Sequence, residues 1–379
     1  MAESRSRGDG GSPDGRGAPA VYALTDPGLK IAMKIASALK ADLFLPSRLS
    51  LKTPSPSLTM ESLGKALREN FKKYRGHVVV AAAGLVVREI APLLESKRSD
   101  PAVVVLGQDG AFVVSLLSGH LGGGNDLARR VAEITGGRAV VSTATDIAGV
   151  PALEVLARDR GLGILDFKKL PAVSRTLAEG GRVPLYDPEG FLAEALEPWE
   201  ELFPRLRDDE AFAEETPRRP RGPSLYVDYR LRSFPKEALV LAPKVLALGV
   251  GCHRGIEFSA LWSFVGEVFS REKLALEAVA LVATAEIRQE EPAILELARE
   301  LGGALAIFKK SELAEIKPPN PSETVLRRIG VPSVCEAAAM LAARTDRLLV
   351  PKQKSASATL ALAKTNSTSS AWGPRAPRA

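Results

Sequence analysis

SLLSGHLGGGNDLARRVAEITGGRAVVSTATD, residues 115–146, is the stretch that indicates the fold class of this chain. An apolar run enters a glycine-rich turn, and a helix-forming segment follows with Leu127, Val131 and Ile134 spaced to lie on one face. A second apolar run, RAVV, predicts another strand. Strands that alternate with amphipathic helices of this length form layered α/β domains.

The segments before this stretch repeat the alternation of strand and helix. VYAL (residues 21–24) and DLFLP (residues 42–46) are apolar runs on either side of a helical pattern, and VVVAAAG is a third. AVVVLGQDGAFVVSLL, residues 102–117, contains two apolar runs separated by an Asp-Gly pair, which is typical of hairpin turns. We expect a multi-domain α/β protein, because 379 residues exceed what one hydrophobic core usually supports.

Changes in composition predict the domain boundaries. EETPRRPRGP, residues 214–223, is charged, rich in proline and without periodicity, as linkers are. The two ends of the chain have the composition of disordered segments. The predicted organisation is a disordered tail at 1–19, a layered N-terminal α/β domain at 20–100, a layered middle α/β domain with the glycine-rich loop at 101–213, a linker at 214–240, a separate C-terminal α/β domain at 241–364 and a disordered tail at 365–379.

Charge and cysteine content exclude several classes of protein. Much of the net charge of +6 comes from residues 351–379, which contain basic but no acidic residues, so no surface for nucleic acid is expected. Cys252 and Cys335 lack partners at zinc-ligand spacing, so no metal site is expected. The sequence has neither an apolar signal segment nor a membrane-spanning run, which predicts a cytoplasmic protein without membrane partners.

The glycine-rich turn is a candidate ligand site. Glycine lets a backbone approach a ligand closely, and N–H groups at a helix start favour an anion. We expect Asn125 or Asp126 to cap the helix that follows the turn. The spacing G-x-x-G-G-G matches neither the Walker A loop nor the dinucleotide-binding turn, and a simple tight turn is the alternative. The residues predicted to bind substrate here are Ser118, Gly119, Gly122, Gly123, Gly124 and Asn125.

Three side chains near this turn are candidate catalytic groups. His120 could act as a general base, because histidine titrates near neutral pH, or it could simply cap the loop. Asp146 closes the segment STATD, and carboxylates at the carboxyl end of a strand often face the ligand crevice of an α/β sheet. It could instead cap the following turn. Asp126 is a second carboxylate that could accept a proton.

The second half of the chain contains a similar feature. LGVGCHRG, residues 248–255, is an apolar run that enters glycines, with His253 and Arg254 beside them. Arg254 could bind a carboxylate through two parallel hydrogen bonds. Lys352 and Lys354 follow a later strand in PKQKSA. We predict that these four side chains bind acidic groups of a substrate, and solvent-exposed loop residues without a ligand are the alternative.

In order and spacing, these stretches resemble the cobalt-precorrin-5A hydrolase family. The resemblance covers nearly the whole chain except its two ends. It lies in SGHLGGGND through TATD, and in AGLVVREIAPLLESKRSDPAVVVL, LGVGCHRG, EEPAILELA, NPSE, GVPSVCEAAAML and VPKQK. Where relatives have a lysine ahead of the acidic pair at 290–291, this chain has Arg288, which argues against a lysine nucleophile at that position.

The resemblance implies an enzyme that contracts the corrin ring in anaerobic cobalamin biosynthesis. It would open the δ-lactone of cobalt-precorrin-5A and release acetaldehyde, which leaves cobalt-precorrin-5B. No cofactor is implied, because the cobalt belongs to the substrate. The implied partners are the cobalt-corrinoid substrate and neighbouring methyltransferases of the corrin pathway.

A mechanism for this reaction can be assigned to the candidate residues. His120 would act as the base for water, and the N–H groups of Gly122 to Gly124 would donate to the developing oxyanion. Asp146 or Asp126 would then take the proton of the freed hydroxyl. Two other functions stay open from the residues: a nucleotide-dependent oxidoreductase, because the chain has two strand-to-glycine turns, and a non-catalytic tetrapyrrole-binding carrier.

Overall fold

A computed structural model describes residues 17–96, 99–212, 220–323, 326–327 and 330–365. They form two compact units, one ending at Gly149 and one beginning at Val150. The predicted tails lie outside the described residues except at 17–19 and Thr365. Thr365 is buried and its N–H donates to the carbonyl of Val245 over 2.8 Å, so the prediction that a tail begins there is wrong by one residue. No helix in the described part of the chain could span a membrane.

A seven-stranded sheet forms the centre of the first unit. Its strands are β1 (Ala20–Ala23), β2 (Asp42–Pro46), β3 (Leu58–Met60), β4 (Gly76–Val80), β5 (Ala102–Leu106), β6 (Phe112–Leu117) and β7 (Arg138–Val140). Their order in the sheet is β3-β2-β1-β4-β5-β6-β7. β6 runs antiparallel to β5 as the predicted hairpin, and the other neighbouring strands are parallel.

The boundary predicted between residues 100 and 101 is wrong, because it would divide this sheet. β4 and β5 are hydrogen-bonded neighbours, with His77 opposite Val103 and Val80 opposite Leu106. Residues 101–149 therefore belong to the first compact unit. The sequence shows an uninterrupted alternation of strands and helices across this point, and alternation alone does not show where one sheet ends.

Helices cover both faces of the seven-stranded sheet. They are α1 (Asp26–Leu39), α2 (Ser47–Ser50), α3 (Leu63–Asn70), α4 (Ala83–Ile90), α5 (Gly124–Thr135) and α6 (Ala144–Ala148), with a 3₁₀ turn at Ala91–Leu93. α1 and α5 pack in one hydrophobic core through residues such as Ile35 and Val131, and α3 and α4 pack in the other through Leu67 and Val86. This two-faced arrangement confirms the α/β fold class.

The central strands are apolar because both of their faces are buried. Along β4, Val78 and Val80 enter one core and Val79 enters the other. Such continuous apolar runs are characteristic of parallel strands covered by helices on both sides. Full burial of each such side chain contributes about 1.5–3 kcal/mol to stability. The strands of this sheet therefore hold the connecting loops at its two edges in fixed positions.

The second unit contains two sheets. The first has the strands β8 (Leu162–Ile164), β9 (Leu185–Tyr186), β10 (Ser224–Val227) and β11 (Ala238–Pro243), in the order β8-β11-β10-β9. The second has β12 (Leu246–Cys252), β13 (Val279–Ala285), β14 (Ala304–Phe308), β15 (Val350–Lys354) and β16 (Ala358–Lys364), in the order β14-β13-β12-β16-β15. Their helices are α7 (Leu153–Asp159), α8 (Leu170–Ala178), α9 (Ala193–Leu196), α10 (Asp208–Ala211), α11 (Phe258–Arg271), α12 (Pro292–Leu301), α13 (Lys310–Glu315) and α14 (Val334–Ala343), with 3₁₀ turns at Glu197–Leu202, Leu276–Ala278 and Glu286–Arg288.

The predicted linker at 214–240 is wrong where it can be compared. Residues 214–219 lie outside the described residues, but β10 and the beginning of β11 lie inside the four-stranded sheet. All four residues of β10 are buried, and Tyr226 packs in an aromatic cluster with Tyr186, Phe212 and Phe234. β10 has only four residues and directly follows a proline-rich segment, so the sequence pattern did not predict it as a strand.

Candidate active site

The glycine-rich turn connects β6 to α5. The backbone bends sharply at Ser118, where φ is +54°, and at Gly123, where φ is +80°. Gly123 is the N-cap of α5 and no side chain caps the helix, so the prediction that Asn125 or Asp126 does so is wrong. A positive φ is common for glycine and rare for serine, and the surrounding packing therefore fixes Ser118 in an uncommon conformation.

The glycines of this turn are required by close packing of the chain on itself. A Cβ on Gly124 would lie 2.6 Å from the carbonyl oxygen of Leu117, and a Cβ on Gly122 would lie 2.4 Å from the Cβ of Ser118. A Cβ on Gly119 would lie 2.6 Å from Oδ1 of Asn125. None of these distances is possible between real atoms, so larger residues would displace the turn.

Most of the N–H groups at the start of α5 are already hydrogen-bonded. Those of Gly123, Gly124 and Asn125 donate to the carbonyls of His120, Ser118 and Gly119, over 2.9, 3.0 and 2.9 Å. The prediction that the N–H groups of Gly123 and Gly124 bind an oxyanion is therefore wrong, because tight folding of the turn uses both donors internally. Backbone contacts of Gly119 and Gly122 with substrate stay predictions.

His120 and Asp146 lie together at one edge of the sheet. β6 and β7 are parallel neighbours, so the segments that follow them emerge at the same edge. Nε2 of His120 lies 3.0 Å from Oδ2 of Asp146, and each side chain is 19% exposed. Oγ1 of Thr145 is 3.1 Å from the same nitrogen. The prediction that Asp146 closes a strand is wrong, because Asp146 stands in α6, and its contact with the candidate base is a finding of the structure.

The Asp146 carboxylate receives several hydrogen bonds. Oδ2 accepts from Nδ2 of Asn125 over 3.0 Å and from Oγ1 of Thr143 over 2.5 Å, in addition to His120. Oδ1 accepts from Nη2 of Arg129. Burial favours the neutral acid, but the bonds from Thr143, Arg129 and His120 outweigh burial and hold the pKa of the Asp146 carboxyl below its usual value. Asp146 is therefore a fixed anion at neutral pH.

An anionic Asp146 determines the tautomer of His120. A carboxylate can only accept, so Nε2 of His120 carries the hydrogen that lies between the two groups. In the neutral ring the lone pair is then on Nδ1. This is the arrangement in which a carboxylate orients a histidine and stabilises the imidazolium that forms when the histidine takes up a proton. The geometry can therefore support general-base chemistry.

The other candidates in the first unit have different surroundings. Asn125 is only 3% exposed and its amide joins Thr143 to Asp146, so its predicted contact with substrate is replaced by an internal one. Oγ of Ser118 is also buried, which removes its side chain from direct substrate contact. Asp126 is exposed and pairs with Arg129, and its role as a proton acceptor stays a prediction.

Sequence reasoning missed Arg129, Thr143 and Thr145. Two signals could have identified them. Arg129 follows Asn125 by four residues and therefore lies on the same face of α5. The two threonines precede Asp146 by three residues and by one residue in STATD, and hydroxyls close to a carboxylate can donate to it.

In the second unit, side chains of the segment 288–291 contact the loop that follows β12. The buried carboxylate of Glu291 accepts from the N–H of Gly255, with both oxygens 3.1–3.2 Å away. Nε of Arg288 donates to the carbonyl of Cys252 over 3.0 Å, an internal role that fits its departure from the lysine of relatives. These contacts hold the loop that exposes His253 and Arg254. Binding of acidic groups by these two side chains stays a prediction.

The Cys252 thiol of this loop is a poor nucleophile. Burial, and the negative charge of Glu291 nearby, raise the pKa of the Cys252 thiol to about 11. Gly249, earlier on β12, has a structural role, because a Cβ there would lie 1.9 Å from the carbonyl oxygen of Cys335 on α14. α14 thus packs directly against the backbone of the strand, and this glycine does not cradle a ligand.

Lys352 and Lys354 are in different environments. The ammonium group of Lys352 donates to the carbonyl of Asn320, and its backbone N–H donates to Glu336 over 3.0 Å. Glu336 is fully buried and also accepts from the backbone and side-chain nitrogens of Asn320. Lys352 is therefore part of an internal network, whereas Lys354 is exposed. Binding of substrate by either lysine stays a prediction.

Three family models match successive parts of the chain. The model described as cobalamin synthesis G N-terminal matches residues 65–146, and that described as cobalamin biosynthesis central region matches residues 151–243. The model described as cobalamin synthesis G C-terminus matches residues 246–363. The first match ends, and the second begins, close to the boundary between the two compact units.

The chain is similar in sequence to two curated proteins over most of their length. A cobalt-precorrin-5A hydrolase of Priestia megaterium is 28% identical, over 92% of this chain and 95% of its own. One of Salmonella typhimurium is 29% identical, over 85% and 91%. Among solved structures, a cobalamin biosynthesis protein G homologue from Sulfolobus solfataricus is 18% identical, covers 92% of this chain and 97% of its own, and has a TM-score of 0.35.

Proposed function

The chain belongs to the cobalamin synthesis G family, and on this basis we propose that it is a cobalt-precorrin-5A hydrolase whose general base is His120. The observation that carries the role of His120 is its hydrogen bond to Asp146, a carboxylate that three further side chains hold in place. A histidine that only capped the loop would not need an oriented anion behind it.

Water is the nucleophile in the first step. Nδ1 of His120 takes a proton from the water as the water oxygen attacks the lactone carbonyl, and Asp146 stabilises the resulting imidazolium. The bond between the acyl carbon and the ring oxygen of the lactone then breaks. The products of this step are a carboxylate on the macrocycle and a hydroxyl on the bridging carbon.

Carbon–carbon cleavage follows from that hydroxyl. Loss of its proton forms the carbonyl of acetaldehyde, while the bond from the bridging carbon to the macrocycle breaks. The electron pair of that bond moves into the conjugated macrocycle, which is the electron acceptor. His120, deprotonated again after the first step, is the group that takes this second proton. Asp126 is less suited to that role, because it is exposed and paired with Arg129.

The substrate supplies the cobalt, and the mechanism uses no added cofactor, because water is the nucleophile and the macrocycle accepts the electrons. The substrate carries acidic arms, so we propose that cationic side chains of this chain contribute to its binding. Arg254, which is exposed on the loop after β12, is one such group.

Anaerobic incubation of the purified protein with cobalt-precorrin-5A tests the proposal. We expect one equivalent of acetaldehyde per macrocycle, without added nicotinamide, nucleotide or metal. A change in the absorbance of the substrate without acetaldehyde would instead identify a tetrapyrrole carrier. A requirement for a nicotinamide would identify an oxidoreductase. Incubation of the substrate without protein controls for spontaneous opening of the lactone.

A further inference from the structure

Arg129 connects two carboxylates at the edge of the candidate active site. Its Nη2 donates to Oδ1 of Asp146, and its Nη1 lies 3.1 Å from Oδ1 of Asp126. The side chain of Arg129 is 48% exposed and that of Asp126 is 60% exposed, whereas Asp146 is largely covered. One guanidinium therefore links the inner carboxylate to an outer one at the surface.

The two oxygens of Asp146 have different partners. Oδ2 faces His120, Asn125 and Thr143, and Oδ1 accepts from Arg129. Asn125 and Arg129 are four residues apart on α5, so they approach Asp146 from the same helix face. With both oxygens bonded, the carboxylate cannot rotate without breaking a charge-assisted hydrogen bond.

Resting on the proposed function, we propose that Arg129 is a positioning residue for the hydrolytic reaction. It holds the plane of the Asp146 carboxylate so that Oδ2 points at Nε2 of His120. Its positive charge also lowers the pH at which His120 loses its proton and becomes a competent base. Arg129 acts through Asp146 and need not touch the reacting atoms of the substrate.

Electrostatics give the sign of the second effect. One chain of charged groups leads away from His120: Asp146 on α6 contacts the imidazole, Arg129 on α5 contacts Asp146, and Asp126 on α5 contacts Arg129. Asp146 stabilises the imidazolium form of His120, and Arg129 partly cancels that stabilisation. Removing the guanidinium leaves the carboxylate uncompensated. The imidazolium of His120 then persists to higher pH, and the neutral base forms only at a higher pH than in the parent.

The first test follows the histidines of the full-length protein by NMR. The chain has only three histidines, so their Cε1–H signals can be assigned with single histidine variants. In Arg129→Gln we expect the titration midpoint of His120 to rise by about 0.5–1 pH unit, the size expected for one partly exposed charge that a single carboxylate separates from the imidazole. The matched control is Arg130→Gln, which removes the same charge from the next, exposed position of α5. It should move the midpoint much less.

The second test measures kcat/KM for acetaldehyde release against pH. The ascending limb of Arg129→Gln should move to higher pH by the same amount, which lowers kcat/KM about 3- to 10-fold on the acid side. Arg129→Lys keeps the charge but not the fork that reaches both carboxylates, so it should restore the limb and only part of the rate.

Two outcomes would overturn the inference. One is a pH profile of Arg129→Gln that superimposes on that of the parent, and the other is an equal shift in Arg130→Gln. A parent protein that releases no acetaldehyde would defeat the proposed function instead. The NMR titration would still decide whether Arg129 controls the protonation of His120.

Discussion

Acidification should weaken the first unit through His77, a histidine of β4 that is fully buried. Its Nε2 lies 3.1 Å from the carbonyl oxygen of Phe71, and its Nδ1 lies 3.1 Å from the hydroxyl of Tyr22. A carbonyl can only accept, so Nε2 carries the hydrogen and Nδ1 accepts from Tyr22. Burial lowers the pKa of His77 to about 4, although the hydrogen bond to Phe71 opposes that shift.

The size of the effect follows from linkage between protonation and folding. In the unfolded chain the pKa of His77 is near 6.5, so between about pH 6.5 and 4 the unfolded state binds more protons than the folded state. The free energy of unfolding therefore falls as the pH falls through this window. The loss is about 2 kcal/mol between pH 7 and 5, and about 3 kcal/mol once the pH is below 4.

Urea unfolding at pH 7 and pH 5, read by deuterium exchange in peptides from β1 and β4, measures this change for the first unit. His77→Gln is the control, because glutamine can still donate to Phe71 but does not titrate. Its free energy of unfolding should be lower than that of the parent at pH 7 and should change about 2 kcal/mol less between the two pH values. Equal losses in the parent and the variant would show that burial does not keep His77 neutral in the folded state.

Three further predictions concern other parts of the chain. Asp146→Asn should lower kcat for acetaldehyde release by about 100-fold or more with an unchanged circular dichroism spectrum, because a neutral amide neither fixes the tautomer nor stabilises imidazolium; a loss below threefold would contradict this role. Gly249→Ala should lower the free energy of unfolding by about 1–3 kcal/mol or more in urea titrations, because the added methyl would clash with the carbonyl oxygen of Cys335. Gly266→Ala should raise the free energy of unfolding by about 0.5–1 kcal/mol, because there is open space at this position of α11. A Gly249→Ala protein more stable than the Gly266→Ala protein would contradict this packing. Deleting residues 366–379, which lack apolar periodicity, should leave Tm and turnover unchanged, and a fall in either would show that the tail binds.

The sequence identified His120 and Asp146 as candidate catalytic groups, but it predicted neither their contact with each other nor the side chains around them. Each of the two residues could be recognised because it follows an apolar run that predicts a strand. The parallel pairing of β6 with β7 then places the ends of both strands at the same edge of the sheet. The side chains that donate to Asp146 could not be predicted from the sequence, because whether Arg129 reaches Asp146 depends on how α5 lies against α6. The same limit explains the glycine turn, where only coordinates show that Gly123 and Gly124 donate internally.

Domain boundaries were the other part that the sequence did not predict. The pairing of β4 with β5 joins residues on either side of position 100. Local composition does not predict which strands become neighbours in a sheet. β10 was assigned to a linker because four buried residues follow a proline-rich segment. Element type was predictable where periodicity was long, as in α1 and α5, and connections between elements were not.

A single-turnover comparison of the parent with His120→Ala on cobalt-precorrin-5A, with acetaldehyde quantified over time, tests whether His120 is the general base. His253→Ala serves as the control, because it removes an exposed histidine of the second unit. Loss of a general base costs about 100- to 10,000-fold in rate, so we expect a fall of that size in His120→Ala, a much smaller one in the control and an unchanged Tm in both. Release by His120→Ala within a few-fold of the parent rate would show that His120 has a structural role and is not the general base.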